Sequence, residues 1–449
     1  MVKKVVIVGA GPAGLFAAYK LTGKAHITII DKGRDIEKRI CLNEKKCQKC
    51  NPCNIDSGIG GAGLFSDGKL NFDDRVGCNL REVVGDKRSA ELIAEVEEIF
   101  SSYGIKAKNL GKHKCLKLEA KALNAGIKYL PIKQAHVGSD VLPRIIAKIR
   151  DNLRRKKVNF KCLTNVSEIG KNYVLANNKK IKFDLLLIAP GRVGAEFLEK
   201  VSKEKRMAFK YNPVDIGVRV EVNSSIMKEI CKINWDPKIY IRTPTYDDSI
   251  RTFCVSPNGY VVKENYGSYC LVNGHSKKGM KSKNTNFAFL IKVKLTEPLE
   301  NTNLYGKAIA EQAATIGGGK PILQRLEDLR NGRRSNWERI SKNNIKPTLT
   351  NVTPGDIAMA MPYRFVKDIL EGLDILNKLI PGVADNSTLL YGVEIKFHGL
   401  RVLTDKTLRT SAKNIYVAGD GAGLSRGIVG AAASGLLAAE GILNEIKAK

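Results

Sequence analysis

A chain of 449 residues exceeds the usual size of one compact unit and predicts two domains, and its 43% hydrophobic and 27% charged residues are the mix of a globular protein. No apolar run reaches the ~18 residues of a membrane-spanning helix, and the longest, Gly427 to Leu443, carries Glu440. A net charge of +30 raises the question of a nucleic-acid partner, but the basic clusters (Arg154 to Lys157, Lys277-Lys278, Arg333-Arg334) are scattered and aromatic residues make up only 6%. That is too few for a base-stacking platform, so nucleic acid is not favoured and compositional bias is the plainer source of the charge.

The first predicted element is a strand. Residues 3–8 read Lys-Lys-Val-Val-Ile-Val, a β-branched run suited to burial on both faces. Two lysines before an apolar run also resemble the start of a secretory signal, but a buried strand feeding a glycine turn accounts for them better. The expected location is the cytoplasm, where ten cysteines do not form a disulfide framework. Gly9-Ala10-Gly11-Pro12-Ala13-Gly14 follows, and then a helical pattern through Leu21. Gly9 permits the tight turn, Gly11 lets backbone approach a pyrophosphate, and Gly14 lets the helix pack closely on the strand. The helix N-terminus offers free N–H groups and a positive dipole end to phosphates. A second strand, His26 to Ile30, ends at Asp31 and Lys32, where a carboxylate accepts bonds from an adenosine ribose. A lone glycine motif is weak evidence. Strand, turn, helix, strand and acid in this order make a dinucleotide half-site of Gly9, Gly11, Pro12, Ala13, Gly14, Asp31 and Lys32.

Four cysteines then fall within thirteen residues: Cys41, Cys47, Cys50 and Cys53, with Pro52 among them. Two-residue gaps let successive thiolates converge on one centre, as in ferredoxin-type runs and zinc knuckles. A [4Fe–4S] cluster, a structural zinc, a redox-active dithiol and unligated thiols all fit the spacing. The fourth ligand lies upstream at Cys41, unlike the downstream Cys-Pro of ferredoxins, and Cys78 is a candidate substitute. Next comes Gly58-Ile59-Gly60-Gly61-Ala62-Gly63. Gly60, Gly61, Ala62 and Gly63 suit a loop lying against a cofactor without Cβ clashes, with a purely structural turn as the alternative.

Further along, residues 158–163 predict a strand and Val174 to Lys182 a hairpin around Asn177-Asn178. Asp184 to Gly191 gives another buried strand, closing on a glycine. Residues 210–385 predict an inserted domain, with strand-like runs to Val272 and helix-like runs at Ala308 to Ala314 and Phe365 to Leu379. Gly317-Gly318-Gly319-Lys320 follows no strand, so it is neither a pyridine-nucleotide turn nor a phosphate loop. Without a second nucleotide motif, NADH and NADPH are expected to be poor electron donors.

The last signature is Asn414 to Gly423, an apolar strand ending in Gly419-Asp420, followed by a small-residue helix through Ala431-Ala432-Ala433. Two half-sites about 400 residues apart imply one extended cofactor spanning both termini. FAD fits and NAD alone does not. In FAD enzymes that this layout resembles, the acid bonds the ribityl chain and the helix N-terminus faces the flavin's pyrimidine edge. Those roles fall here to Asp420 and to Gly427, Ile428 and Val429, where a positive helix end favours the anionic reduced flavin.

The stretch Gly58 to Leu70 resembles the hallmark of a poorly characterised family of FAD-dependent dehydrogenases, glutathione-reductase-like flavoproteins. Further matches are His136 to Asp140, Asp215 to Glu221, Arg251 to Cys254, Pro257-Asn258-Gly259 and Val272-Asn273-Gly274. The resemblance covers nearly the whole chain. It implies an α/β fold: a glutathione-reductase-like FAD-binding Rossmann domain over 1–209 and 386–449, with 210–385 inserted as a mixed α+β substrate or cap domain. Substrate is expected between that insert and the flavin, with His136, Arg219, Arg251 and Cys254 as candidate lining residues, although such residues more often pack or form ion pairs.

These readings converge on an FAD-dependent oxidoreductase acting on a small-molecule substrate by hydride transfer at flavin N5. An iron–sulfur cluster at the four cysteines suits such an enzyme, since it feeds single electrons from a ferredoxin-like donor to a flavin that also handles pairs. Zinc is the alternative metal. An FAD-dependent RNA-modifying enzyme and a non-catalytic flavin-fold binding protein are the alternative functions. Intact phosphate turns, Asp31 and Asp420 speak against the latter.

Overall fold

The computed structural model describes residues 2–41, 50–66, 68–108, 110–138, 141–276, 281–297 and 300–448. It divides into two compact units: Met1–Lys108 with Ala135–Asn212 and His398–Lys449, and Asn109–Gln134 with Pro213–Phe397.

The first unit is α/β. Its five-stranded parallel sheet runs in the order Ile415–Val417, Leu185–Ile188, Lys4–Val8, His26–Ile30 and Asn159–Lys161. The central strands are runs of Val, Ile and Leu because both faces are covered: Val5, Ile7, Leu186, Leu187 and Ile188 are solvent-free. Helices Pro12–Leu21 and Ile428–Lys447 pack so closely that a Cβ on Gly435 would lie 2.0 Å from the Ala13 carbonyl oxygen. A three-stranded antiparallel meander, Val166–Ile169, Tyr173–Ala176 and Lys179–Lys182, precedes the return strand at Leu185. Asn177 and Asn178 take positive φ at its second turn, as an Asn-Asn hairpin requires.

The second unit is built on an eight-stranded mixed sheet in the order 353–354, 322–325, 389–396, 214–223, 284–293, 249–256, 238–242 and 127–130. On the long strand Val214–Asn223, Val214, Ile216, Val218, Val220 and Val222 enter the apolar core with helix Tyr363–Leu379. Alternation puts Asp215, Arg219 and Glu221 on the opposite face, where they too are buried and so must be paired. The sequence expectation left 109–134 with the FAD-binding part. In the structure its helix Lys112–Asn124 and strand Ile127–Leu130 fold with the second unit, because that strand pairs antiparallel with Lys238–Ile241.

One buried carboxyl in this unit makes stability depend on pH. Asp368 is solvent-free; one oxygen accepts from the Thr243 hydroxyl at 2.6 Å, while the other meets no N–H or O–H donor among the described residues. Burial, and behind it the neighbouring Asp248, push the carboxyl up to about 6, whereas Asp248 is held low by Arg364. A folded-state pKa above the unfolded value stabilises the protein below pH 4 and loses that contribution as pH rises through 6. The expected result is that Asp368→Asn, which keeps a donor towards Asp248, gains about 1–3 kcal/mol of stability relative to wild type between pH 4.5 and pH 7.5. Urea midpoints at the two pH values measure it. Parallel pH profiles for wild type and variant would refute it.

Candidate functional site

In the first unit the structure brings three glycine-rich loops together. The turn after the first strand is built for close approach: Gly9 takes φ +108°, and a Cβ there would lie 2.1 Å from the Ala189 carbonyl oxygen. A Cβ on Gly14 would lie 2.0 Å from the Gly9 carbonyl oxygen, so the helix can start here only with glycine. Helix Pro12–Leu21 has Gly11 at its N-cap and no capping side chain. Its first-turn N–H groups therefore remain available to an anion. Asp31 braces the turn, one carboxylate oxygen accepting from Ala10 N–H and the other from Gly33 N–H, both at 2.8 Å. Lys32 follows, partly exposed.

The second loop lies on the first. Gly60 N–H donates to the Ala10 carbonyl at 2.8 Å, and Gly61 sits so near Gly11 that its Cβ would be 3.2 Å from the Gly11 Cα. Ala62 opens a short 3-10 turn, Ala62–Phe65, and a Cβ on Gly63 would press on Ile428 at 2.7 Å. The third loop arrives from the C-terminus. Gly419, at φ +80°, packs on Ala13 and donates to the Ser434 hydroxyl at 2.9 Å. A Cβ on Gly421 would meet the Gly191 carbonyl oxygen at 2.5 Å, while a Cβ on Gly191 itself would meet nothing within 4 Å among the described residues. Asp420 accepts from the Ser425 hydroxyl at 2.6 Å, with Arg192 3.6 Å from its other oxygen. Helix Ile428–Lys447 then begins at an uncapped, exposed Gly427, where a Cβ would touch nothing within 4 Å among the described residues, with Ile428 and Val429 buried in its first turn. Two free helix N-termini, two acids and three loops that exclude side chains are a fitting cradle for a long phosphate-bearing cofactor.

Sequence reasoning missed what holds the second loop. Arg39 is 2% exposed and donates to the carbonyls of Asn54, Ile55, Ile59 and Gly61 at 2.9, 2.6, 2.7 and 3.0 Å, and more weakly to Gly58. Burial lowers its pKa to about 10, partly offset by Asp31 and Asp56. No local pattern marks it, because its partners lie 15 to 22 residues away.

Of the predicted metal ligands, Cys47 lies outside the described residues. Cys41 and Cys50 are exposed, and Cys53 is partly buried, its thiol pushed up by burial. Among the described residues no group of three or more His, Cys, Asp or Glu is placed to hold a metal ion. Cys78 is buried beside Ser425, its thiol pushed up to about 11 by burial.

Of the four candidate substrate residues, His136 ends the short strand Gln134–His136 and is exposed. The other three lie in the second unit's sheet. Arg219 is solvent-free and engaged with Asn286 at 2.9 Å, the Cys254 carbonyl at 2.7 Å and Glu394 at 3.4 Å. Arg251 pairs with buried Asp215 at 2.7 Å, and Cys254 takes a positive φ of +48° next to the Asp236-bound Val255. Both arginines thus hold the polar face of the sheet together.

Comparison with known proteins agrees with this division. Residues 213–396 match the family model of the FAD-dependent protein, C-terminal domain-like, and residues 7–37 match the NAD(P)-binding Rossmann-like domain. An uncharacterised protein of Clostridium beijerinckii is 27% identical over 98% of this chain and 80% of its own length. Similar solved structures include L-proline dehydrogenase from P. horikoshii (TM-score 0.42, 11% identity, 99% of this chain and 94% of that one). An oxidoreductase from Methanosarcina mazei gives a TM-score of 0.39 at 10% identity, over 97% of this chain and all of that one. Tetrameric 2-methyl-3-hydroxypyridine-5-carboxylic acid oxygenase gives 0.38 at 10%, over 99% and 82%. Such distant likenesses leave the chemistry to be argued from the site. Over 213–396 the chain is similar to the C-terminal domain of FAD-dependent proteins, and over 7–37 to Rossmann-like NAD(P)-binding domains.

Proposed function

We propose that the protein is an FAD-dependent oxidoreductase acting on a small-molecule substrate. The observation that carries this reading is the meeting of the 9–14, 58–63 and 419–427 loops at two uncapped helix N-termini. In it, Gly9 and Pro12 shape the turn, the main-chain N–H groups of Gly11, Ala13 and Gly14 hold the pyrophosphate, and Gly60, Gly61, Ala62 and Gly63 close over it. Asp31 and Lys32 take the adenosine end. Gly191, Gly419 and Asp420 take the ribityl chain, and the N–H groups of Gly427, Ile428 and Val429 supply positive potential to the flavin ring. Bound FAD supplies a two-electron acceptor at N5. The parallel sheet and antiparallel meander support the glutathione-reductase-like subtype, with the insert as substrate or cap domain.

Anaerobic purification with an absorption spectrum tests this. Close to one FAD per chain, released on heating, is expected. Protein that cannot be loaded with flavin would overturn it.

The finer part of the proposal is an iron–sulfur relay at Cys41, Cys47, Cys50 and Cys53. Its support is spacing and chain connection: Arg39 and Asn54 tie residues 39–40 to 54–55, and the chain from Cys53 to Gly58 spans at most ~18 Å. Cys50→Ser is expected to lose iron while retaining FAD and to slow reduction by reduced ferredoxin at least tenfold. Metal analysis and stopped-flow absorbance measure both, and wild-type protein carrying zinc and no iron would dismiss the relay.

A further inference from the structure

We propose that Arg401 anchors an anion site for a carboxylate-bearing substrate beside the Asp420–Gly427 turn. This deepens the functional reading above and rests on its placing of the flavin end of the cofactor at that turn. The segment from His398 to Arg401 lies directly on the turn. A Cβ on Gly399 would come 2.7 Å from the Asp420 carbonyl oxygen, and one on Gly423 would come 2.9 Å from the Arg401 Cα. The Asn212 amide pins both strands of the contact, donating to the Gly399 carbonyl at 2.7 Å and the Gly423 carbonyl at 3.3 Å.

Arg401 is 6% exposed, yet its Nη1 meets no hydrogen-bond partner among the described residues. The carboxylate it faces, Glu82, stands 3.7 Å away, beyond hydrogen-bond reach, and is itself mostly in solvent. Cys78 is no counter-ion, because burial keeps its thiol protonated at neutral pH. Arg426 adds a second positive charge nearby and is held in place by Asn79 at 2.9 Å. Burial lowers the pKa of Arg401 further than Glu82 can restore it.

Taking a guanidinium out of water costs several kcal/mol, and a loose, largely exposed ion pair such as that with Glu82 offsets little of it, whereas a closely bound anion would offset more. Gly427 follows Arg426 in the chain, a Cβ there would meet nothing within 4 Å among the described residues, and the helix it caps points unpaired N–H groups of the same sign to that side. A planar guanidinium fork suits a planar carboxylate, to which it donates two parallel hydrogen bonds. A flavin anion is already served by the helix N–H groups, which leaves the arginine for the substrate.

The test titrates the holoenzyme with acetate, benzoate and inorganic phosphate at constant ionic strength, set with chloride. Binding is followed by calorimetry and by the difference spectrum of the bound flavin. The expected result is that a carboxylate binds and perturbs the flavin spectrum, and that R401Q weakens it by about 30-fold or more. R401K, which keeps the charge but not the fork, lies between, and R426Q weakens binding less than R401Q. All three variants keep FAD. Equal carboxylate affinity in wild type and R401Q would overturn the proposal, as would binding of phosphate alone. It would also fall if R401Q left carboxylate binding intact but shifted the flavin potential, since the arginine would then serve the flavin. Colourless protein that still binds benzoate in an Arg401-dependent way would keep the anion site and refute the flavin reading instead. If R401Q fails to fold, the R401K and R426Q titrations decide.

Discussion

Gly11→Val is expected to give a folded protein that purifies without colour. Gly11 takes φ −74° and ψ −177°, backbone that any residue adopts, and its Cβ would meet only the Gly61 Cα, at an ordinary 3.8 Å. The fold therefore has little reason to reject a side chain there. The proposed pyrophosphate position has every reason, because the added methyls occupy the space over the first helical turn. Losing two charge-assisted N–H bonds to phosphate, at ~1.5–3 kcal/mol each, weakens FAD by at least about 100-fold. Gly14→Val is the contrast. Its Cβ would sit 2.0 Å from a main-chain oxygen, so that variant is expected to be lost to misfolding instead. Circular dichroism separates folding from flavin content. Gly11→Val protein that retains full flavin would show that the phosphate site has been misplaced, and Gly11→Ala should fall between it and wild type.

The contrast between Gly11 and Gly14 also marks how far the sequence could be read. Both glycines, Asp31 and the C-terminal Gly419-Asp420 announce themselves locally, because strand, turn and helix signals lie within a few residues of each other. The assembly of the loops does not. That Gly60 bonds Ala10, and that Gly63 presses on Ile428, are contacts between residues 50 and 365 positions apart, set by the sheet order and by no local pattern. The strand Ile127–Leu130 reads as part of the first unit for the same reason: its pairing with Lys238–Ile241 is long-range. Arg219, a candidate lining residue whose commoner role is packing or ion pairing, takes that commoner role: the alternation places it on a buried polar face where Glu394 and Asn286 occupy it. Arg401 carries no local signal, since nothing around it in sequence hints that its guanidinium ends up buried with an N–H group unpaired among the described residues.

Arg39 is where long-range design has its largest expected energetic effect. Arg39→Ala leaves the carbonyls of Asn54, Ile55, Ile59 and Gly61 without their buried donor and removes the guanidinium that stacks on the Phe65 ring at 4.9 Å. Breaking a buried charged network of this kind costs about 3–5 kcal/mol, or roughly 10 °C in melting temperature for a unit of this size. Arg39→Lys is expected to recover less than half of that, because an ammonium has three donors on a point charge and cannot span carbonyls from residue 54 to residue 61. Flavin binding should fall with stability, since Gly60 and Gly61 are kept on the phosphate turn by the same side chain. The measurements are melting temperatures of the apo and FAD-saturated forms together with the FAD dissociation constant. If Arg39→Ala melts early but binds FAD as tightly as wild type, the arginine stabilises the loop without positioning it for the cofactor. An unchanged melting temperature would sink the energetic argument itself.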